Sequence, residues 1–201
     1  MAKKTAISKN LSENIAHMEE LFHTCDDIKK KQMNIGKDGD VACYLTFIEV
    51  AVDMGNSALL ELLKYLRGLS REEIYEALSS NALAISDATY FTTIEEAGDG
   101  LLTGETILFV DGFDQAVKIP DDGYPNMGVN EVDSEKVVRG SNEGFTESVK
   151  QNAALIRKRV RSTQVKVKQK KLGVRSKTNV YLVYMEGLAY PGLLKEIEKR
   201  L

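Results

Sequence analysis

The two ends of this 201-residue chain carry the same pattern. At an offset of 137 positions, Gln32 meets Gln169, Ile35 meets Leu172 and Gly36 meets Gly173. Tyr44-Leu45-Thr46-Phe47-Ile48-Glu49 then meets Tyr181-Leu182-Val183-Tyr184-Met185-Glu186 without a gap. Both copies run through a glycine, Gly55 or Gly192, into a leucine-striped helix. Upstream, with a slip of one residue, Leu11, Asn14, Met18 and Phe22 meet Val149, Asn152, Ile156 and Val160. A helix–strand–turn–strand–helix unit is therefore predicted twice. Each copy must bury an apolar face, so the repeat predicts two small α/β lobes with mixed sheets flanked by helices.

Hydrophobic periodicity fills in the elements. Leu11, Ile15, Met18, Leu21 and Phe22 form a helical stripe, with Asn10 as N-cap and Glu13 three residues later. Ile28 to Ile35 reads as a charged, half-exposed strand, and the apolar run 41–52 as a buried one. A helix follows from Asn56/Ser57 through Arg67, closed by Gly68, and Ser70-Arg71-Glu72-Glu73 is a capping box for a short helix to Ser79. Leu83–Ile85 is a short strand and Thr93–Leu102 a short helix. Thr106–Val110 and Ala116–Ile119 bracket an Asp-Gly and make a hairpin. The second copy supplies a helix from about Glu143 to Val160, strands at 164–172 and 179–185, and a helix at 191–201 with proline in its first turn. Residues 120–136 hold two of the chain's three prolines, Pro120 and Pro125, and few core-type residues, and 121–136 reads as a linker between a first lobe, 1–120, and a second, 137–201. The second copy stops directly after its helix, which predicts a lobe truncated at its C-terminus.

Charge is divided unevenly. Residues 1–147 hold 13 Lys/Arg against 27 Asp/Glu, and residues 148–185 hold 11 Lys/Arg and no acid. Arg157, Lys158, Arg159 and Arg161 close a helix, and Lys166, Lys168 and Lys170 alternate along the following strand. These seven are the candidate basic docking face, for lipid headgroups, nucleic acid or an acidic partner. The alternative is two lobes that neutralise each other. No aromatics interleave between 148 and 178, which leaves stacking on single-stranded nucleic acid unsupported.

Catalytic material is sparse, and no enzyme activity is predicted. His17 and His23 are six apart, off the spacing of a helical metal pair, and read as surface histidines. Cys25 precedes two aspartates, which disfavours a thiolate, and Cys43 lies in an apolar strand. Two cysteines make no disulfide framework and no zinc site, so neither metal nor cofactor is predicted. The glycines of 98–104 follow a helix and precede a strand, the reverse of a phosphate cradle. No run approaches the roughly 20 apolar residues of a membrane span. Glu49 and Glu186 each end a buried strand, as ligand or interface groups, or as caps of a nearby helix N-terminus or partners of a lysine.

Several segments together resemble a known family. Val137-Val138-Arg139-Gly140-Ser141-Asn142-Glu143-Gly144-Phe145-Thr146-Glu147 is similar to the VVRG-PxEGF-E signature of the A subunits of bacterial spore germination receptors, the GerA family. Asn152, Leu155–Arg161, Gly173–Thr178 and Tyr181–Ala189 continue the likeness, as does the hairpin around Asp111-Gly112. The departure is Ser141-Asn142, where the family carries proline and then a basic or polar residue. The resemblance implies two α/β subdomains similar in fold to solute-binding proteins, on the cytoplasmic side of the inner spore membrane. It implies a subunit that continues into transmembrane helices, assembles with B and C subunits and takes part in ion release when nutrients arrive. Arg139, Glu143, Arg175, Lys177, Glu186 and Glu49 are the candidate lobe-packing or interface residues, with Glu143 in the first turn of its helix and Arg139 bridging it to the 175–177 turn. A small-molecule germinant in the inter-lobe cleft and an anionic membrane surface are the alternative partners.

Overall fold

The computed structural model describes residues 4–51, 57–80, 83, 89–120, 124 and 144–201. The first unit opens with α1 (Leu11–Leu21), capped by the Asn10 side chain, which accepts from the Ser12 N–H. β1 (Ile28–Ile35) and β2 (Val41–Ile48) form an antiparallel hairpin, with Ile28 opposite Ile48 and Ile35 opposite Val41. The turn between them is possible because Gly36 takes φ +93. Next come α2 (Ser57–Gly68), α3 (Arg71–Ser79), β3 (Thr89–Phe91), α4 (Ile94–Leu102), β4 (Thr106–Val110) and β5 (Ala116–Ile119). The capping box at Ser70 is formed in both directions, with Glu73.

The five strands form one sheet in the order β1-β2-β4-β5-β3, every pairing antiparallel. The mixed sheet expected from sequence is corrected here: tight turns join the neighbouring strands β1–β2 and β4–β5, and a tight turn makes an antiparallel pair. Both faces are covered. Tyr44, Ile48 and Phe109 meet Met18, Phe22 and Leu101 on the α1/α4 side. Leu45, Phe47 and Leu108 meet Leu62, Leu66 and Ile74 on the α2/α3 side. Burial on both faces is why β2 and β4 read as continuous apolar runs.

The second unit is α5 (Val149–Arg159), β6 (Val165–Leu172), β7 (Thr178–Met185) and α6 (Pro191–Arg200). Its hairpin reproduces the first one, residue for residue at the offset of 137, and Gly173 (φ +82) stands where Gly36 does. α5 reproduces α1 at an offset of 138, so the slip falls in the helix–strand connection, which is one residue shorter in the second copy. The helix predicted from Glu143 begins only at Val149, because Ser148 is its N-cap and accepts from the Gln151 N–H. Glu143 itself, Arg139, the linker apart from Tyr124, and residues 84 and 85 of the short strand lie outside the described residues. Tyr124 is buried and its hydroxyl donates to the Leu102 carbonyl.

The repeat extends to individual hydrogen bonds. The Asn14 side chain accepts from the Ser8 N–H (2.8 Å) and donates to the Ser8 carbonyl (2.6 Å). Asn152 does the same with Thr146, at 2.7 and 2.8 Å. At the other end the Glu49 N–H donates to the Asp27 carbonyl and the Glu186 N–H to the Gln164 carbonyl.

Candidate functional site

The two units meet where the connection between α1 and β1 runs beside β6. The Asp26 N–H donates to the Val167 carbonyl (2.8 Å), and the Val167 N–H donates to the Thr24 carbonyl (3.1 Å). This short parallel bridge lets Thr24 hold φ +57, which an isolated threonine avoids. The Asp26 carboxylate accepts the Gln169 N–H (2.7 Å). The first unit therefore adds a fragment of strand to the free edge of β6.

Beneath that bridge lies a buried ion pair between the units. Arg157 of α5 is wholly buried and Asp27 is 3% exposed. The guanidinium Nε donates to Asp27 Oδ2, and Nη2 donates to Oδ1 (3.0 Å). Burial alone would loosen the guanidinium's hold on its proton, and the paired carboxylate more than reverses that. Cys25 shares the pocket, and burial pushes its thiol up, which makes it inert as a nucleophile. Cys43 is pushed up to about 11 for the same reason.

Two further contacts flank this lock, and they repeat each other. At the open end of the first hairpin Lys29 pairs with Glu49 (3.3 Å), and at the equivalent place in the second Lys166 pairs with Glu186 (3.4 Å). Each glutamate also receives a hydrogen bond from the opposite unit. Lys150 of α5 donates to Glu49 (2.6 Å), and His23 donates its Nε2–H to Glu186 (2.9 Å). Burial pushes Glu49 up, but hydrogen bonds from Lys150 and Lys29 outweigh it and hold the carboxyl below its ordinary value. Glu186 is held below its ordinary value chiefly by the His23 hydrogen bond. A cavity of about 460 Å³ opens beside this second contact, with Thr5, His17, Glu95, Thr163 and Lys166 in its wall.

The structure therefore brings Glu49 and Glu186 to the junction, one on each flank. It does not bring Arg175 and Lys177 there, since both are exposed at the tip of the β6–β7 turn. The basic docking face needs correction. Arg157 and Lys166 are buried and belong to the junction, Arg157 paired with the distant Asp27 and Lys166 with Glu186 at the end of its own hairpin. Lys168 pairs with Glu198 of α6, and the Lys170 ammonium donates to the Glu198 carbonyl. Lys158, Arg159 and Arg161 stay near the surface end of α5. Sequence reasoning missed Asp26, Asp27 and Lys150, and gave His23 no role. Two adjacent aspartates entering a strand, opposite an acid-free basic segment, were the available signal.

Among the described residues no group of three His, Cys, Asp or Glu side chains is placed to hold a metal ion. Nor is any described helix long and apolar enough to cross a membrane.

A helix-and-hairpin unit present twice, its two copies locked across a buried ion pair, defines a class of duplicated α/β module. Residues 16–201 match the family described as Bacillus/Clostridium GerA spore germination protein, and the chain belongs to that family. It is similar to the uncharacterized membrane protein YfkQ of Bacillus subtilis, 32% identical over 97% of this chain and 38% of YfkQ. Spore germination protein A1 of Bacillus subtilis is 26% identical over 99% of this chain and 40% of that protein. Stage V sporulation protein AF of the same organism is 37% identical over 60% of this chain and 24% of its own length. The chain thus spans about two fifths, or less, of these relatives. The fold matches the crystal structure of the N-terminal domain of the A subunit of the Bacillus megaterium spore germinant receptor GerK3. That match has a TM-score of 0.76 at 24% identity and covers 99% of this chain and 73% of the other.

Proposed function

We propose that this chain is the cytoplasm-facing module of a germinant-receptor A-type subunit and acts without catalysis, as a relay between receptor subunits. The observation that carries this is the junction. An ion pair with one member wholly buried, a backbone bridge and two flanking contacts make the units one lever rather than two independent beads. A lever passes a force from one end to the other; a pair of loosely tethered lobes does not. The partners are the B- and C-type subunits at the inner membrane of the spore. The test is Arg157→Ala in the full-length subunit in sporulating cells. The expected result is loss of co-isolation with the B- and C-type subunits and loss of nutrient-triggered germination. Normal assembly and germination in a variant whose junction amides exchange freely would contradict the relay.

A second reading is a small-molecule germinant bound between the units, and the cavity beside Glu186 favours it. Saturable heat of binding for an amino acid or sugar, abolished by Lys166→Met, is its expected result. Docking on an anionic membrane through the basic segment is weaker, since two of its seven cations are buried in the junction.

A further inference from the structure

The flanking contacts differ in one chemical respect. Both join a hairpin-end Lys–Glu pair to a cation from the other unit, but on one flank that cation is Lys150 and on the other it is His23. A lysine stays charged through the neutral range, and a histidine does not. The histidine is not repeated: Phe22 and Val160 are the equivalent C-caps of α1 and α5, so the residue that answers His23 is Arg161. His23 belongs to the meeting of the units.

Two oxygen neighbours favour a ring with two protons. Nδ1 lies 2.8 Å from the Glu20 carbonyl oxygen and Nε2 lies 2.9 Å from Glu186 Oε1. Neither a carbonyl nor a carboxylate oxygen has a hydrogen to give, so meeting both oxygens takes two ring hydrogens, which only the imidazolium carries. A neutral ring must give up one of the two. If Nδ1 keeps its hydrogen, the Nε2 lone pair faces the Glu186 carboxylate. If Nε2 keeps it, the Nδ1 lone pair faces the Glu20 carbonyl at 2.8 Å and accepts only from the Lys166 ammonium, and the contact with Glu186 loses the charge of the imidazolium. The Lys166 ammonium, 3.3 Å from Nδ1 and 3.4 Å from Glu186 Oε2, then holds Glu186 within the second unit. The other charged or titratable groups around the cavity are His17 and Glu20 on α1 and Glu95 on α4.

We propose that His23 is a titratable latch between the two units: protonated, it ties the end of α1 to Glu186 beside the cavity, and neutral, it loosens that flank while the Lys150–Glu49 flank keeps its charge. His23 is held above its ordinary value, first by the Glu20 carbonyl and then by Glu186. A folded value above the unfolded one means that the latch stabilises fully below the unfolded value. That contribution is lost as pH rises through the folded value.

The test follows the His23 ring nitrogens by NMR against pH in this chain and in Glu186→Gln, alongside unfolding equilibria of wild type, His23→Gln and Lys150→Gln. His23 is expected to titrate above 6.5 and to move down in Glu186→Gln. As pH rises through that midpoint, the wild-type unfolding constant grows relative to His23→Gln, by about tenfold for each pH unit between 6.5 and the midpoint. Lys150→Gln changes stability by the same factor on both sides of the midpoint. A midpoint at or below 6.5, a midpoint that Glu186→Gln leaves in place, or a ratio of wild type to His23→Gln that is flat with pH would each overturn the latch. The ring titration decides the matter even where His23→Gln folds poorly.

Discussion

Replacing Arg157 by alanine removes the guanidinium and leaves Asp27, 3% exposed, without its cation. Both charge-assisted hydrogen bonds are lost, and the wholly buried side chain leaves a void between α5 and the first unit. Breaking a buried pair from one side costs about 3–5 kcal/mol, because the remaining charge stays desolvated. In a chain of this size that corresponds to a fall in melting temperature of roughly 6–20 °C, at about 2–4 °C per kcal/mol. Urea unfolding followed by circular dichroism measures it, provided a single transition is seen in both proteins. The single variants Arg157→Met and Asp27→Leu and the double variant Asp27→Leu/Arg157→Met form a double-mutant cycle. The double variant is expected to recover most of the loss, since apolar groups of similar size replace a buried pair at little cost. A loss within about 0.5 kcal/mol for Arg157→Ala is what surface substitutions show and would refute the buried lock. Strict additivity of the two sites would refute it as well.

Three further outcomes follow from the repeat and the packing. Asn14→Ala and Asn152→Ala remove the same two side chain–backbone bonds in the two copies, so each is expected to lose about 1–3 kcal/mol by thermal melting; a loss at one site only would show that the copies are not equivalent. Gly98→Ala places a Cβ 2.7 Å from Leu21 Cδ2, where α4 crosses α1, and should cost about 1–3 kcal/mol in the same assay. Ser70→Ala breaks the capping box of α3 and should cost about 1 kcal/mol, while Glu72→Ala beside it, outside the box, should cost less than about 0.5 kcal/mol.

The repeat was the most legible part of the chain. Tyr44–Glu49 against Tyr181–Glu186 fixed the register of both second strands, and the structure keeps that register across both hairpins. The slip between α1 and α5 was visible too, since helix and strand matches required different offsets. The junction was not legible, for a physical reason. Periodicity reports which face of an element is apolar, and it is silent on which distant acid a buried cation meets. Arg157 and Lys166 looked like the exposed ends of a helix and a strand, yet Asp27 and Glu186 hold them inside. The start of α5 was misplaced because Glu143 and Gly144 precede a second capping signal, Ser148, which the folded chain uses. Glu49 and Glu186 were visible as strand-end acids, but their crossed cations, Lys150 and His23, come from the other unit and lie 101 and 163 residues away.

The central claim is that the two units are one body. Amide hydrogen exchange at Asp26 and Val167, whose N–H groups bond across the junction, tests it most directly. Protection equal to that of the β2 and β4 amides, so that these sites open only when the whole chain unfolds, is the result expected of a lock. Exchange orders of magnitude faster than β2, at unchanged global stability, would mean that the units part freely and would contradict the account.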